Sequence, residues 1–350
     1  MQIIQDLSLE ELTQVCLNLG QPKYRAKQIF ENLHLGKNLD EMSNIPKDLK
    51  DKLKVQYIDT PLTIIHTLVS KDGTQKYLYK LHDGNIIEGV LLSYEYGNTL
   101  CVSTQVGCRM GCKFCASTLN GLIRSLSSGE ILAQVLVVNR MLGGDNKTRK
   151  ITNIVLMGSG EPLDNFDNVV KFVYLVNAPE GINISQRNIS VSTCGLVPQI
   201  DKLAKLKLQI VLTISLHAPT DEIRKTIMPI ANKYTIEQII DSAHRYFNAT
   251  GRRVIFEYAL IRGVNDSMEC ARTLHKLLSG FPTHLNVIPL NEVKERNLES
   301  VTRKDAYRFA ETLQKLGTSA TVRRTMGEDI DGACGQLRAK FIAEQTDKEE

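Results

Sequence analysis

Cys108, Cys112 and Cys115 crowd into one short stretch of a chain with eight cysteines in all. Thiolates suit soft metals and iron–sulfur clusters. A structural zinc site wants four ligands, usually as two separated pairs. Three close cysteines leave one position empty, and a cluster held by only three has one iron free for a small-molecule ligand. The spacing Cys-x-x-x-Cys-x-x-Cys therefore reads as a 4Fe–4S cluster with an open iron. Gly111 lets the loop wrap tightly and Phe114 supplies an apolar wall. Zinc, with Cys101 or Cys194 as fourth ligand, and three plain reduced thiols are the alternatives that these residues leave open.

A second constellation is Gly158-Ser159-Gly160-Glu161-Pro162. Its glycines let backbone approach a ligand closely, and Glu161 offers an acceptor to a ligand ammonium. Polar residues recur at comparable places further on: Thr193-Cys194-Gly195, Ser215-Leu216-His217 and Asn291. Hydroxyl, imidazole and amide groups there can orient a polar ligand. His217 could equally be a structural histidine, and Cys101, in a strand, a small core residue. Cys16 and Cys270 fall on helical stripes and read as core.

These residues need elements to carry them. From Thr99 onward strands and helices alternate. Strands are expected at 99–105, 151–157, 188–193, 209–216, 253–261, 284–290 and 320–325, and helices at 128–142, 166–177, 197–206, 235–248, 267–279 and 302–317. Such alternation implies a parallel sheet with crossovers. Runs such as Ile154-Val155-Leu156-Met157 suggest strands covered on both faces. About six units favour an α/β barrel or partial barrel, with its chemistry at the carboxyl ends of the strands. The motifs above fall at those ends. Ahead of the barrel, Ser8 with Glu11 forms a capping box, and residues 1–60 read as small helices. Residues 61–93 read as a β-hairpin and linker, turning at Lys71-Asp72-Gly73.

The chain has 350 residues, 42% hydrophobic and 23% charged, with a formal net charge of +4. This is an ordinary soluble composition. The charge permits a nucleic-acid partner without requiring one. There is no eighteen-residue apolar run and no leader pattern, so a cytoplasmic location and no membrane are expected. Clustered cysteines in a reducing compartment point to metal binding or catalysis.

Cys-x-x-x-Cys-x-aromatic-Cys after a first strand resembles the radical S-adenosylmethionine (SAM) superfamily. More specifically, residues 100–108, Val191–Pro198, Ser215–Ala218, Arg224–Pro229, Gly263–Asp266, Ile288–Asn291 and Gly327–Leu337 resemble the radical SAM adenine methyltransferases of ribosomal RNA. The resemblance covers nearly the whole chain. It implies a partial (β/α)6 radical SAM barrel over 94–326, a helical accessory domain over 1–60 that docks RNA, and a C-terminal segment over 327–350 carrying a methyl-accepting cysteine. Cys108, Cys112 and Cys115 are then the cluster ligands. Gly160, Glu161, Ser192, Ser215, Leu216, His217 and Asn291 match the SAM contacts. Cys334 matches the cysteine that is methylated by one SAM, then stripped of a hydrogen by the 5′-deoxyadenosyl radical of a second. Cys101 matches the resolving cysteine, which forms a transient disulfide with Cys334. Glu88 matches the proton acceptor, with Cys101 as a competing candidate.

The implied substrates are 23S ribosomal RNA, at the peptidyl-transferase centre, and transfer RNA, beside the anticodon. A reducing system such as flavodoxin is implied as electron donor, and a monomer is expected. Glu161-Pro162 and Thr193-Cys194-Gly195 resemble the branch that methylates adenine C2; the C8 branch, which confers antibiotic resistance, is the alternative. Ser159 departs from the Met common at its place. Lys23, Arg25, Lys27, Lys147, Arg149, Lys150, Arg323 and Arg324 are candidate phosphate contacts, each equally readable as a solvated charge. A zinc-stabilised, non-catalytic RNA-binding or ribosome-assembly factor is the competing reading from another class.

Overall fold

The computed structural model describes residues 1–145, 148–293 and 295–330. At the N-terminus, β1 (Gln2–Ile3) pairs in parallel with β2 (Tyr57–Ile58), and between them lie α1 (Leu9–Asn18), α2 (Tyr24–His34) and α3 (Lys47–Gln56). The Ser8–Glu11 capping box opens α1 as the sequence predicts.

Three antiparallel strands follow, β3 (Leu62–Val69), β4 (Gln75–Leu81) and β5 (Ile86–Tyr94), and β5 pairs antiparallel with β6 (Gly97–Cys101). A short hairpin of β7 (Gln105–Gly107) and β8 (Leu122–Ser125) comes next. The remaining chain alternates α4 (Ser128–Met141), β9 (Ile151–Leu156), α5 (Phe166–Val176), β10 (Ile189–Thr193), α6 (Val197–Lys205), β11 (Val211–Ser215), α7 (Asp221–Ile227), α8 (Ile236–Thr250), β12 (Val254–Leu260), α9 (Met268–Leu278), β13 (Thr283–Pro289), α10 (Arg303–Lys315) and β14 (Ala320–Val322).

Strands β3 to β6 and β9 to β14 form one ten-stranded sheet, in which every strand lies beside its predecessor in that series. From β6 onward all pairings are parallel. Residues 61–93 are therefore hydrogen-bonded into the barrel sheet and are not a free-standing connector. The seven-residue helix α7 has no counterpart among the expected helices.

Side-chain alternation organises the barrel. In β10, Ile189 and Val191 point to the helical layer and its core, and Ser190 and Ser192 to the other face. In β11, Leu212 and Ile214 take the core side and Thr213 and Ser215 the other. In β13, Leu285 and Val287 oppose Asn286 and Ile288 in the same way. Both faces are covered, but only the helical side is wholly apolar. The inner face is mixed, with Val155, Met157, Ile255 and Ile288 beside Ser192, Thr213, Ser215 and Asn286, and it surrounds cavities.

The N-terminal unit plugs into the helical layer. Asp6 Oδ1 accepts Ser128 Oγ–H at 2.8 Å and the Gly129 N–H at 2.5 Å, satisfying the open first turn of α4. Gly129 is required there, since a Cβ would stand 2.7 Å from the Asp6 nitrogen. His34 of α2 accepts the Ile182 N–H through Nδ1.

Candidate radical SAM site

The cysteine loop is closed at its neck by the small hairpin. The Cys108 N–H donates to the Gly121 carbonyl at 2.9 Å. Gly107 has φ of 78°, and a Cβ there would lie 2.0 Å from the Gly121 oxygen, so this crossing needs glycine. Inside the loop, Thr118 Oγ1 donates to the carbonyls of Cys112 and Cys115. Arg109 clamps Asp164 with two nitrogens, joining the loop to the segment after β9.

All three cysteines line a single cavity of about 220 Å³. Its walls also include Gly158, Gly160, Glu161, Ser192, Ser215 and His217. None of the three is in a disulfide. Burial pushes the Cys108 thiol up to about 12 and raises Cys112 as well. Bound iron would reverse this, because a coordinated thiol gives up its proton. Among the described residues, no three His, Cys, Asp or Glu side chains are arranged to hold a single metal ion. The three thiols share one cavity, and thiolates are the ligands that iron–sulfur clusters take.

The wall opposite is built as a backbone cradle. Gly158 and Gly160 lie so close to the segment after β6 that a Cβ would stand 2.7 Å from the Val102 oxygen and 2.7 Å from Gln105 Cβ respectively. Ser159 accepts the N–H groups of Thr104 and Gln105 through its carbonyl, and its side chain does not line the cavity. Its departure from Met therefore leaves the wall intact. Glu161 is buried and takes the N–H of Leu163 at 3.0 Å and of Cys194 at 2.7 Å. Burial raises its carboxyl, so it gains from a cationic ligand.

His217 is held on every side. Its φ is 57°, a left-handed value uncommon for histidine. Nδ1 accepts the Ala259 N–H at 2.9 Å, its carbonyl accepts Asn265 Nδ2, and Phe114 meets the ring edge-on at 4.8 Å. Burial and the Arg224 charge lower its imidazole to about 3. The ring is thus neutral, with Nε2 carrying the hydrogen.

Other expected residues sit further back. Leu216 is fully buried, does not line the cavity and exposes no side chain to it; Asn291 is exposed at the end of the β13 segment and does not line it either. Cys101 packs with Val90, Leu92, Val155, Met157 and Met326, one layer behind the wall residue Met157. Glu88 is buried and ion-paired to the equally buried Lys76 at 3.6 Å. It lies on the same face of β5 as Val90, the register partner of Cys101. Cys334 and Lys147 lie outside the described residues.

Sequence reasoning missed two buried groups. Glu257 on β12 lines the main cavity and a second one of about 440 Å³ deeper in the barrel. One of its oxygens takes Asn286 Nδ2 and the other has no hydrogen-bond partner among the described residues. Arg224 on α7 is fully buried. Neither has a local pattern to betray it, beyond Glu257 being a carboxylate inside an otherwise apolar strand.

Comparison with known proteins decides the family. Residues 102–274 match the radical SAM superfamily, and residues 4–58 match the ribosomal RNA large subunit methyltransferase N-terminal domain. A probable dual-specificity RNA methyltransferase RlmN of Clostridium perfringens (strain 13 / Type A) is 54% identical, with 98% of each chain covered. Its counterpart in Clostridium novyi (strain NT) is 52% identical over 98% of this chain and 99% of the relative. The chain belongs to the RlmN family of radical SAM methyltransferases. A crystal structure of a radical SAM methyltransferase from Sphaerobacter thermophilus superposes with a TM-score of 0.91 at 42% identity, covering 96% of this chain and 99% of that one.

RlmN membership brings a 4Fe–4S cluster and SAM, and the cavity fits both. Three thiols face a space wider than one ion, beside a buried carboxylate and glycines that leave room for a ligand. Among the described residues, no helix is long and apolar enough to cross a membrane.

Proposed function

We propose that this enzyme methylates C2 of adenine, at one site in 23S ribosomal RNA at the peptidyl-transferase centre and beside the anticodon in transfer RNAs. The observation that carries the reading is the position of Cys101. It lies against Met157, which lines the cavity, and against Met326, from which the chain runs on to Cys334. This supports a resolving role for Cys101, because it shares a contact cluster with a cavity-wall residue and with Met326, eight residues before Cys334 in the chain.

Adenine C2 lies between two ring nitrogens and is too electron-poor to attack a methyl cation equivalent. When bound, the cluster supplies single electrons and SAM supplies both a methyl group and a hydrogen-abstracting radical. Cys108, Cys112 and Cys115 hold the cluster and leave one iron open. Gly160 and Glu161 take the SAM ammonium, while Ser192, Ser215 and His217 hold its ribose and adenine; Leu216 and Asn291, outside the cavity lining, act only by holding the strand ends behind these contacts. The Cys334 thiolate accepts a methyl group and carries it to C2 as a covalent tether. Cys101 then attacks the Cys334 sulfur: the S–S bond forms as the S–C bond to the adduct breaks, the electron pair stays with the released carbon, which takes up a proton to become the methyl group, and external thiols reduce the disulfide. Glu88 accepts the C2 proton, for which its Lys76 partner must yield; Cys101 is the alternative base. One SAM loads the methyl and a second drives its transfer. A flavodoxin-type carrier supplies electrons, and the enzyme works as a cytoplasmic monomer whose 1–60 unit docks RNA.

Nucleoside mass spectrometry on RNA from cells with and without the gene tests the reading. Loss of 2-methyladenosine from both RNAs is expected; loss of 8-methyladenosine instead would assign the C8 reaction. Cys334→Ala should cleave SAM without transferring methyl, and Cys101→Ala should accumulate a protein–RNA adduct. Anaerobic protein with zinc in place of four irons would remove the whole reading.

A further inference from the structure

Arg224 is among the largest fully buried side chains of the protein, and it does not line the cavity. Its Nε donates to the Leu216 carbonyl at 3.1 Å, and Nη2 to the carbonyls of Cys194 at 2.6 Å and Ser215 at 3.3 Å. One guanidinium therefore ties together the ends of β10 and β11. Its Nη1 is buried with no partner among the described residues. All three bonds go to neutral carbonyls, so no contacting carboxylate cancels the charge. Arginine stays protonated even when buried.

The helix that carries Arg224 also backs the cysteine loop. The carbonyl of Ile227, at the end of α7, accepts the Lys113 N–H at 2.9 Å. Ile227 and Met228 pack with Cys112 and Cys194 in one apolar cluster. Gly111 lies so close to Pro229 that a Cβ would stand 3.2 Å from its Cγ. The guanidinium reaches this contact through the Cys194 carbonyl, and Cys194 packs in the same apolar cluster as Cys112. Other cations stand near the loop. Arg109 is 63% exposed and paired with Asp164, and Lys113 and the cavity-lining Arg323 are exposed, so water and salt screen them. Arg296 is half-buried and donates Nη2 to Thr118 Oγ1 inside the loop at 3.4 Å. Two carboxylates stand nearby, Asp221 on the same helix and Glu161 beyond the Cys194 backbone.

We infer that Arg224 is a positioning residue that raises the reduction potential of the cluster, acting as a fixed buried cation behind the cysteine loop. This rests on the reading that Cys108, Cys112 and Cys115 hold a 4Fe–4S cluster. The step concerned is transfer of one electron from a low-potential one-electron carrier to the cluster, with no bond made or broken and no proton moved. Reduction adds a negative charge to a cluster already bearing thiolates, and an unscreened cation nearby favours the reduced form.

The test is a redox titration of anaerobic holoprotein, followed by electron paramagnetic resonance. Dithionite supplies the electrons. In Arg224→Met the ratio of reduced to oxidised cluster at a fixed potential should fall about tenfold or more, a shift of about 59 mV to more negative values. Arg224→Lys, which keeps the charge, should stay within about threefold of the parent. A Met variant that titrates with the parent, or a Lys variant that shifts as far as the Met one, overturns the inference. The parent protein gives a second measurement that needs no variant. A buried cation is unscreened, so the midpoint should hold between low and molar salt; a tenfold change would assign the tuning to exposed Arg109 or Lys113 instead. Iron analysis keeps the two readings apart, because parent protein without four irons per chain removes the cluster assignment itself.

Discussion

Glu161 and Arg224 grip the two backbone polar groups of Cys194 from opposite sides. The carboxylate takes its N–H at 2.7 Å and the guanidinium donates to its carbonyl at 2.6 Å. Cys194 is thus fixed through its main chain, while its thiol lines the cavity beside Glu161. Cys194→Ala should keep its iron and its SAM affinity and lose only about 1–2 kcal/mol of stability. Glu161→Gln should also keep its iron but bind SAM at least about tenfold more weakly. Equilibrium dialysis with labelled SAM and iron analysis read both. A Cys194 variant that loses iron would make its thiol a ligand.

Gly160 has φ of 112° and sits where a Cβ would press on Gln105 at 2.7 Å. Gly160→Ala must move the cradle away from the segment after β6. SAM affinity should fall by more than about tenfold while the cluster loads normally. Affinity within twofold of the parent would show that the cradle does not touch SAM.

The segment that leads to Cys334 is clasped to the β3–β4 turn. Asp329 Oδ1 accepts Ser70 Oγ–H at 2.5 Å and Oδ2 accepts the Lys71 N–H at 3.2 Å, while Asp72 Oδ2 accepts the Gly327 N–H at 2.8 Å. Asp329→Ala with Asp72→Ala should free this segment. Methyl transfer to Cys334, read by intact mass, should fall at least about tenfold. SAM cleavage without RNA should persist. If methyl loading is unchanged, the clasp has no part in presenting Cys334.

His34 accepts a backbone N–H through Nδ1, and burial holds its imidazole at about 3. The unfolded value is near 6.5. Between these limits the unfolded chain binds a proton that the folded chain refuses, so stability rises with pH across that window and is flat above it. His217 contributes the same sign. Glu161 and Glu257, raised by burial, contribute the opposite sign from the ordinary carboxylate range upward. Comparison with His34→Gln isolates the histidine. In urea melts of the apo-protein, the advantage of the parent over the variant should shrink by about 2 kcal/mol between pH 7 and pH 5. A constant gap would mean that His34 is protonated without cost.

The alternation of strand and helix after Thr99 was plain in the sequence because the elements carry their own periods and several helices their own caps. Ser127 with Glu130 opens α4 and Thr235 with Gln238 opens α8, both as capping boxes. The cysteine loop was equally legible, since its ligands are neighbours in the chain. What stayed hidden depends on partners brought from afar. Lys76 is fully buried. Nothing near it says so, because the Glu88 that neutralises it stands on the next strand. Helix α7 is too short to show a period, and the burial of Arg224 needs three carbonyls from two other strand ends. The 61–93 strands read as a separate hairpin because the pairing of β5 with β6, which joins them to the barrel, leaves no local mark.

The strict chain order of the sheet has a consequence for biogenesis. Each strand docks on the one made just before it in the series, so the barrel can grow as the polypeptide leaves the ribosome, with short loop closures at every stage. The Asp329 clasp is then among the last contacts to form, after β14.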